Sequence, residues 1–227
     1  MNLDARSLPN DTVLEAEFCI IGGGPVGITL ARELAATGRE VLLVESGGVT
    51  PSAEAEALNE GGESSEQYAP LSLYRRRILG GSSAIWGGRL VPYDPIDFEA
   101  RSWAQEANWP IDYAAVEPYF APATTYCEGG HAEFDSTEAA PAAAAFIAGF
   151  DDPELKTTSF ERFSAPTDFG KLYGPELSRA QNVRVLTFAT CSALQGEDQG
   201  RVTLASLNTL NGNRVAVRAQ TFVVACG

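Results

Sequence analysis

An α/β architecture is what the sequence predicts, and three stretches carry the prediction. Phe18 to Ile21 is a short apolar run of the kind that forms a buried parallel strand, and it stops abruptly at glycines. Val26, Leu30 and Leu34 then recur at helical spacing, Gly38 supplies a helix stop, and Val41 to Val44 makes a second apolar strand ending at Glu45. Later in the chain, Val183 to Leu186, Arg201 to Ser206 and Val215 to Val217 are strand-like. Turn signals at Gly196 to Gly200 and Asn211-Gly212-Asn213 separate them, which predicts an antiparallel β-meander.

The glycines between the first strand and its helix fit G-x-G-x-x-G, and each has a physical task. Gly22 permits the tight turn, Gly24 lets backbone approach a pyrophosphate, and Gly27 lets the helix pack closely on the strand. The helix N-terminal amides then face phosphate. Glu45 follows about 20 residues on, at a strand tip where a carboxylate accepts hydrogen bonds from a ribose and repels a 2′-phosphate. The strand, helix and second strand therefore make a Rossmann-like nucleotide-binding unit. The competing reading is a doubly wound domain whose glycines serve only packing, with Glu45 as a solvated strand end.

Composition limits the partners. A chain of 227 residues with 44% hydrophobic residues buries a real core. Its net charge of -14 opposes nucleic acid and anionic lipid, so small molecules are the expected partners. No stretch resembles a membrane span, and Met1 to Glu15 is polar and acidic, without a basic region followed by an apolar one. A cytoplasmic home is therefore expected. Cys19, Cys127, Cys191 and Cys226 form no C-x-x-C pair and read as buried free thiols. The single histidine, His131, excludes any metal site that needs two, and its Gly-rich acidic surroundings make it a surface residue.

Between these landmarks the chain changes character. Ser46 to Tyr68 has no sustained period and reads as a long connection, of the kind that covers a site or leads to a second lobe. Arg75-Arg76-Arg77 follows, either a solvated edge or a source of charge for a diphosphate. In Gly80 to Gly88, two glycine pairs bracket Ser82, Ser83, Ile85 and Trp86, a loop able to lay bare backbone and hydroxyls against a flat ligand. Pro92 and Pro95 argue against a helix up to Arg101. Asp112 is placed to cap the helix after it, Pro118 to begin another, and the Ala-rich run Glu138 to Phe150 to form a helix of a second lobe.

Several of these blocks together resemble the glucose-methanol-choline (GMC) flavin oxidoreductases, and within them the bacterial sugar-oxidising branch near pyranose oxidase and fructose dehydrogenase. The matching blocks are Ile20 to Gly27 with Glu45 to Gly48, Gly80 to Gly88, Trp109 to Tyr119, and Phe163 to Gly170 leading into Asn182 to Leu186. The run Phe222 to Gly227 is similar to the strand beside the adenosine. The resemblance implies an FAD-binding Rossmann-like ββα domain with an antiparallel β-meander, plus part of a second, substrate-binding lobe. It assigns 1–50, 75–105 and 178–227 to the FAD-binding domain, 51–74 to a connection and 106–177 to the lobe. It implies cofactor contacts at Gly22, Gly24, Pro25, Val26, Gly27, Glu45 and Ser46 from the first block. The loop adds Gly80, Gly81, Ser82, Ser83, Trp86, Gly87 and Gly88, and the later strands add Cys191, Ala225 and Gly227. Some relatives bind FAD covalently through a histidine where this chain has Ile85, which implies noncovalent FAD.

The implied chemistry is oxidation of an alcohol group of a sugar or glycoside by hydride transfer to the flavin, with a base taking the hydroxyl proton. In the family that base lies on the C-terminal part, so no residue here is assigned as catalytic. The chain is expected to be an N-terminal portion that works with a complementary C-terminal segment or chain, and exposed apolar surface leaves a homo-oligomer open. A flavin-binding module without chemistry, and a non-redox lyase of the hydroxynitrile type, are the alternatives on the same scaffold.

Overall fold

The computed structural model describes residues 1–60, 69–103, 109–139, 146–147, 149–150, 152, 155, 157–165, 167–196 and 200–227. In chain order these form β1 (Asn2–Asp4), β2 (Thr12–Ile21), α1 (Pro25–Ala36), β3 (Val41–Val44), α2 (Ala53–Glu56), α3 (Leu71–Tyr74), β4 (Arg89–Leu90) and α4 (Tyr113–Val116). Then come α5 (Phe120–Tyr126), α6 (Ser136–Ala139), β5 (Arg162–Phe163), α7 (Phe169–Arg179), β6 (Val183–Thr187), β7 (Thr190–Gly196), β8 (Val202–Asn208) and β9 (Arg214–Val224). By contacts the chain divides into two units, Met1–Trp86 with Asp168–Gly227, and Gly87–Thr167.

The first unit holds a sheet of order β1-β6-β3-β2-β9-β8-β7. From β1 through β9 the neighbours run parallel, and β8 and β7 extend the sheet antiparallel. Cys19, Ile21, Leu42 and Val44 point to one face, where they share a core with Ala205, Leu207, Val215 and Val217 of the meander. On the other side a Cβ added at Gly27 of α1 would lie 3.3 Å from Leu43 Cδ1, and α7 packs against α1 and β6. Both faces are thus covered, which is why Val41–Val44 reads as an unbroken apolar run and is buried throughout. This is the mixed α/β fold that the sequence predicts.

Details differ from the sequence reading, each for a physical reason. The buried side of α1 is Gly27, Ile28 and Ala31, so the expected stripe of Val26, Leu30 and Leu34 is rotated, and Val26 is 67% exposed. Small residues set that side because the helix lies against backbone: a Cβ at Gly27 would be 1.9 Å from the Gly22 carbonyl oxygen. Val183–Thr187 is not the first strand of the meander but a parallel strand between β1 and β3. The meander begins at Thr190, after a two-residue corner where Phe188 takes a left-handed φ of 55°. The segments Val215 to Val217 and Phe222 to Val224 belong to one 11-residue strand, because β9 pairs with β8 on one edge and with β2 on the other.

The domain limits also shift. Residues 51–74, read as a connection, fall in the first unit, with 61–68 outside the described residues; Gly87 onward falls in the second; and the α7 region joins the first. That placement of α7 follows from burial of Phe169 and Leu177. Most of the Ala-rich run also lies outside the described residues. In the second unit β4 and β5 pair antiparallel, and a short 3-10 turn forms at Pro95–Phe98 where no helix was expected. Proline fits its first position, and the Asp94 and Asp97 side chains satisfy the free amides. Asp112 caps α4 as expected, accepting from the Ala115 N–H at 2.9 Å. Among the described residues no helix is long and apolar enough to cross a membrane.

Candidate functional site

A cavity of about 460 Å³ opens at the carboxyl ends of the parallel strands of the first unit. Its walls come from the ends of β2 and β3, the start of α1, the corner after β6 and the residues after β9. Ligand crevices of open parallel sheets lie at this end, where the chain leaves neighbouring strands in different directions.

The floor is the glycine turn. Gly22 has a φ of 114°, and a Cβ on it would lie 2.5 Å from the Ala225 carbonyl oxygen, so only glycine fits. At Gly24 the geometry is the opposite: its backbone is extended and a Cβ would meet nothing within 4 Å, leaving space in front of the chain. Gly24 is the N-cap of α1 and has no capping side chain, and Pro25 occupies the first helical position. Among the described residues, no side chain caps the amides of this first turn, which stand beside bare backbone.

Glu45 forms a second wall. It is buried, and its carboxylate accepts from the N–H groups of Gly23 and Gly47, each at 2.8 Å, and from the Ser46 hydroxyl at 3.3 Å. Burial pushes its carboxyl above the ordinary carboxylate range, while those donors and the charge of Arg77 oppose the rise. It is thus no solvated strand end: the side chain lines the cavity with its orientation fixed by backbone amides. Arg75, Arg76 and Arg77 stand on the same wall, and Gly227 is so close to Arg75 that a Cβ there would be 2.7 Å from the guanidinium.

The remaining residues singled out in the sequence divide into two groups. Pro25, Val26, Ser46, Gly81, Ser82, Cys191 and Ala225 line the cavity with Gly22, Gly24 and Gly227. Gly27, Gly80, Ser83 and Trp86 do not line it. Gly80, at a φ of 103°, donates its N–H to the Gly23 carbonyl at 2.7 Å and so ties the second loop to the glycine turn. Ser83 is buried, its hydroxyl donating to Gly80 O at 2.6 Å and accepting from the Phe169 N–H at 3.0 Å. Trp86 meets Phe169 edge-on, with ring centroids 6.4 Å apart. Gly87 and Gly88 lie in the second unit. Sequence reasoning missed Asn59, Thr190 and Cys226 as lining residues. Cys226 sits inside the quoted terminal run; Asn59 and Thr190 carry no periodic signal. His131 is exposed in the second unit.

The glycine cradle, the open space before Gly24 and the buried acid suit the adenosine diphosphate portion of a dinucleotide. Residues 15–59 match a family described as FAD binding domain. Over those residues the chain is similar to an FAD-binding domain. The match spans β2, the glycine turn, α1, β3, Glu45 and α2, the elements that shape the cavity.

Comparisons over longer stretches of the chain show a wider likeness. A dehydrogenase of Strobilurus tenacellus is 32% identical over 144 residues, which is 54% of this chain and 22% of that protein. Pyridoxine 4-oxidase from Mesorbium loti is similar in structure with a TM-score of 0.58 at 19% identity, over 93% of this chain and 49% of its own. Formate oxidase gives 0.55 at 15% identity, over 96% and 46%, and a fungal aryl-alcohol oxidase gives 0.55 at 14%, over 97% and 46%. The chain shares the fold of these three oxidases and spans about half their length.

Proposed function

We propose that this chain is the FAD-binding part of a flavin oxidoreductase that oxidises an alcohol group, and that its FAD is held without a covalent bond. The observation that carries the reading is the meeting, in one cavity, of bare backbone at Gly24, the uncapped first turn of α1 and the buried carboxylate of Glu45. In this reading Gly24 and the first-turn amides hold the pyrophosphate, and Glu45 accepts from the adenosine ribose. Backbone at Cys191, Ala225 and Gly227 borders the adenine. When bound, FAD supplies a two-electron acceptor for a hydride. Ile85 offers only hydrocarbon where some similar proteins carry the histidine that bonds FAD.

Oxidation of an alcohol also requires a base for the hydroxyl proton. We assign it to a complementary C-terminal segment, in the same molecule or in a partner chain. The solved structures of this fold are about twice as long as this chain, which supports that assignment. A sugar or glycoside is the substrate class we favour, on the resemblance of the sequence blocks taken together to the sugar-oxidising branch. We place the protein in the cytoplasm, where its four free thiols would persist.

Anaerobic mixing tests the reading. The protein, with its complementary segment, is loaded with FAD and mixed with glucose, an alkyl glycoside or a benzylic alcohol while the visible flavin absorbance is followed. Bleaching by the sugars is the expected result. Bleaching by the benzylic alcohol alone keeps the redox function and removes the sugar; no bleaching by any alcohol contradicts the redox function.

A further inference from the structure

The Arg77 guanidinium is built into the protein. Its Nε donates to Asn59 Oδ1 at 2.9 Å and its Nη1 to Ser46 Oγ at 3.0 Å. Asn59 is 7% exposed and in turn donates to Glu56 Oε2 at 3.1 Å, while Glu56 Oε1 accepts the Arg77 backbone N–H at 2.9 Å. On the cavity side, the Ser46 hydroxyl that accepts from Arg77 donates to Glu45 Oε1 at 3.3 Å. The next residue has no room for a side chain: a Cβ at Gly47 would lie 1.7 Å from the Arg77 carbonyl oxygen. One connected set of contacts therefore runs from Glu56 through Asn59, Arg77 and Ser46 to Glu45. An arginine whose donors are engaged by an amide and a hydroxyl of its own chain is poorly directed at phosphate, whereas Arg75 beside it is exposed.

We propose that Arg77 is a positioning residue for nucleotide binding, acting through Ser46 and the Glu45 carboxylate on the ribose, and not as a phosphate ligand. The proposal rests on the FAD reading above. Arg77 and the Cys226 thiol are the charged or titratable groups acting on Glu45; Arg75, Arg76 and Cys191 are the other ionisable groups on the cavity wall. Burial already pushes the Glu45 carboxyl up and Arg77 restrains it. Loss of the guanidinium lets the carboxyl rise further, so it takes a proton at higher pH, and a protonated acid is a weaker acceptor for ribose hydroxyls.

The test titrates the wild type, Arg77→Met, Arg77→Lys, Glu45→Gln and the Glu45→Gln/Arg77→Met double variant with FAD, ADP and adenosine, from about pH 5 to about pH 9. We expect Arg77→Met to weaken all three ligands by a similar factor, on the order of tenfold at neutral pH, and Arg77→Lys to recover part of the loss. The fall in affinity on acidification should move to higher pH in Arg77→Met, and in the Glu45→Gln background the same change should cost less than about twofold. A loss for FAD and ADP that spares adenosine makes Arg77 a phosphate ligand and overturns the proposal, as do equal losses in both backgrounds. If Arg77→Met does not fold, Arg77→Lys must still shift the pH dependence, and its failure to do so overturns the proposal. Wild-type protein that binds none of the three overturns the FAD reading itself, whereas FAD binding that Arg77 variants leave unchanged overturns only this inference.

Discussion

The two units of the chain achieve order by different means. In the first, β3 is buried along its whole length, between a face packed on the meander and a face toward α1. In the second, the described strands are two residues long and the longest described helix has seven residues. Its order comes from capping by Asp94, Asp97 and Asp112 and from edge-on and tilted ring contacts among Tyr93, Phe98, Trp109, Tyr113 and Phe120, with centroids 5.6 to 5.9 Å apart. Each such contact contributes about 0.5–1.5 kcal/mol, whereas burying one Leu or Ile side chain contributes about 1.5–3 kcal/mol. Trp103 meanwhile stays 79% exposed. A site that must hold bare backbone and a buried acid in fixed positions is found in the unit with the larger core, and that difference is open to experiment.

The largest effect is expected at the tightest contact of the first unit. Gly27→Val forces a side chain into the Gly22 carbonyl, 1.9 Å from where its Cβ would stand, and should abolish cooperative unfolding of the first unit in a circular-dichroism melt. A wild-type melt would mean that α1 can lift from the turn. Next, Leu43→Ala, at a fully buried position of β3, should cost about 2–5 kcal/mol in denaturant unfolding, while Trp103→Ala in the second unit should stay within about 0.5 kcal/mol. Comparable losses at the two positions would erase the contrast between the units.

A smaller effect separates two thiols of the first unit. Burial, with a lesser contribution from Cys191, pushes the Cys19 thiol up to about 12, and Cys19 is fully buried; Cys226 is exposed and lines the cavity. Alkylation followed by peptide mass spectrometry should label Cys226 first and leave Cys19 unmodified in the folded protein, with FAD slowing the reaction at Cys226. Labelling of Cys19 at the rate of Cys226 would show that the core opens readily.

What the sequence made legible follows the same division. The glycine turn, β3, the stop at Gly38 and the cap at Asp112 are visible because each depends on residues close in sequence: a run of apolar side chains, a φ of 82° at Gly38, an oxygen three residues from its amide. β1 and the first half of β2 escape notice because their side chains mix polar with apolar and none is fully buried, although both are paired in the sheet. β7 is hidden likewise, since Thr190–Gly196 shows no alternation and is mostly exposed. Of the residues that line the cavity, Gly24 and Glu45 could be singled out from spacing. The contacts of Ser83, Asn59 and Arg77 could not, because each depends on a partner brought in by the fold, such as the Phe169 amide on Ser83 or Asn59 on Arg77.

The most direct test of the account is the flavin-to-protein ratio, measured after incubation with FAD and desalting, for the wild type and for Gly24→Asp. Aspartate suits the empty protein at this position: the backbone is extended, a Cβ meets nothing within 4 Å, and aspartate is a good helix N-cap. In front of a pyrophosphate the same carboxylate brings bulk and like charge. The account predicts stoichiometric flavin on the wild type, released on acid precipitation, and none on a Gly24→Asp variant whose melt matches the wild type. A wild type that holds no flavin, or a Gly24→Asp variant that keeps its full complement, would contradict it.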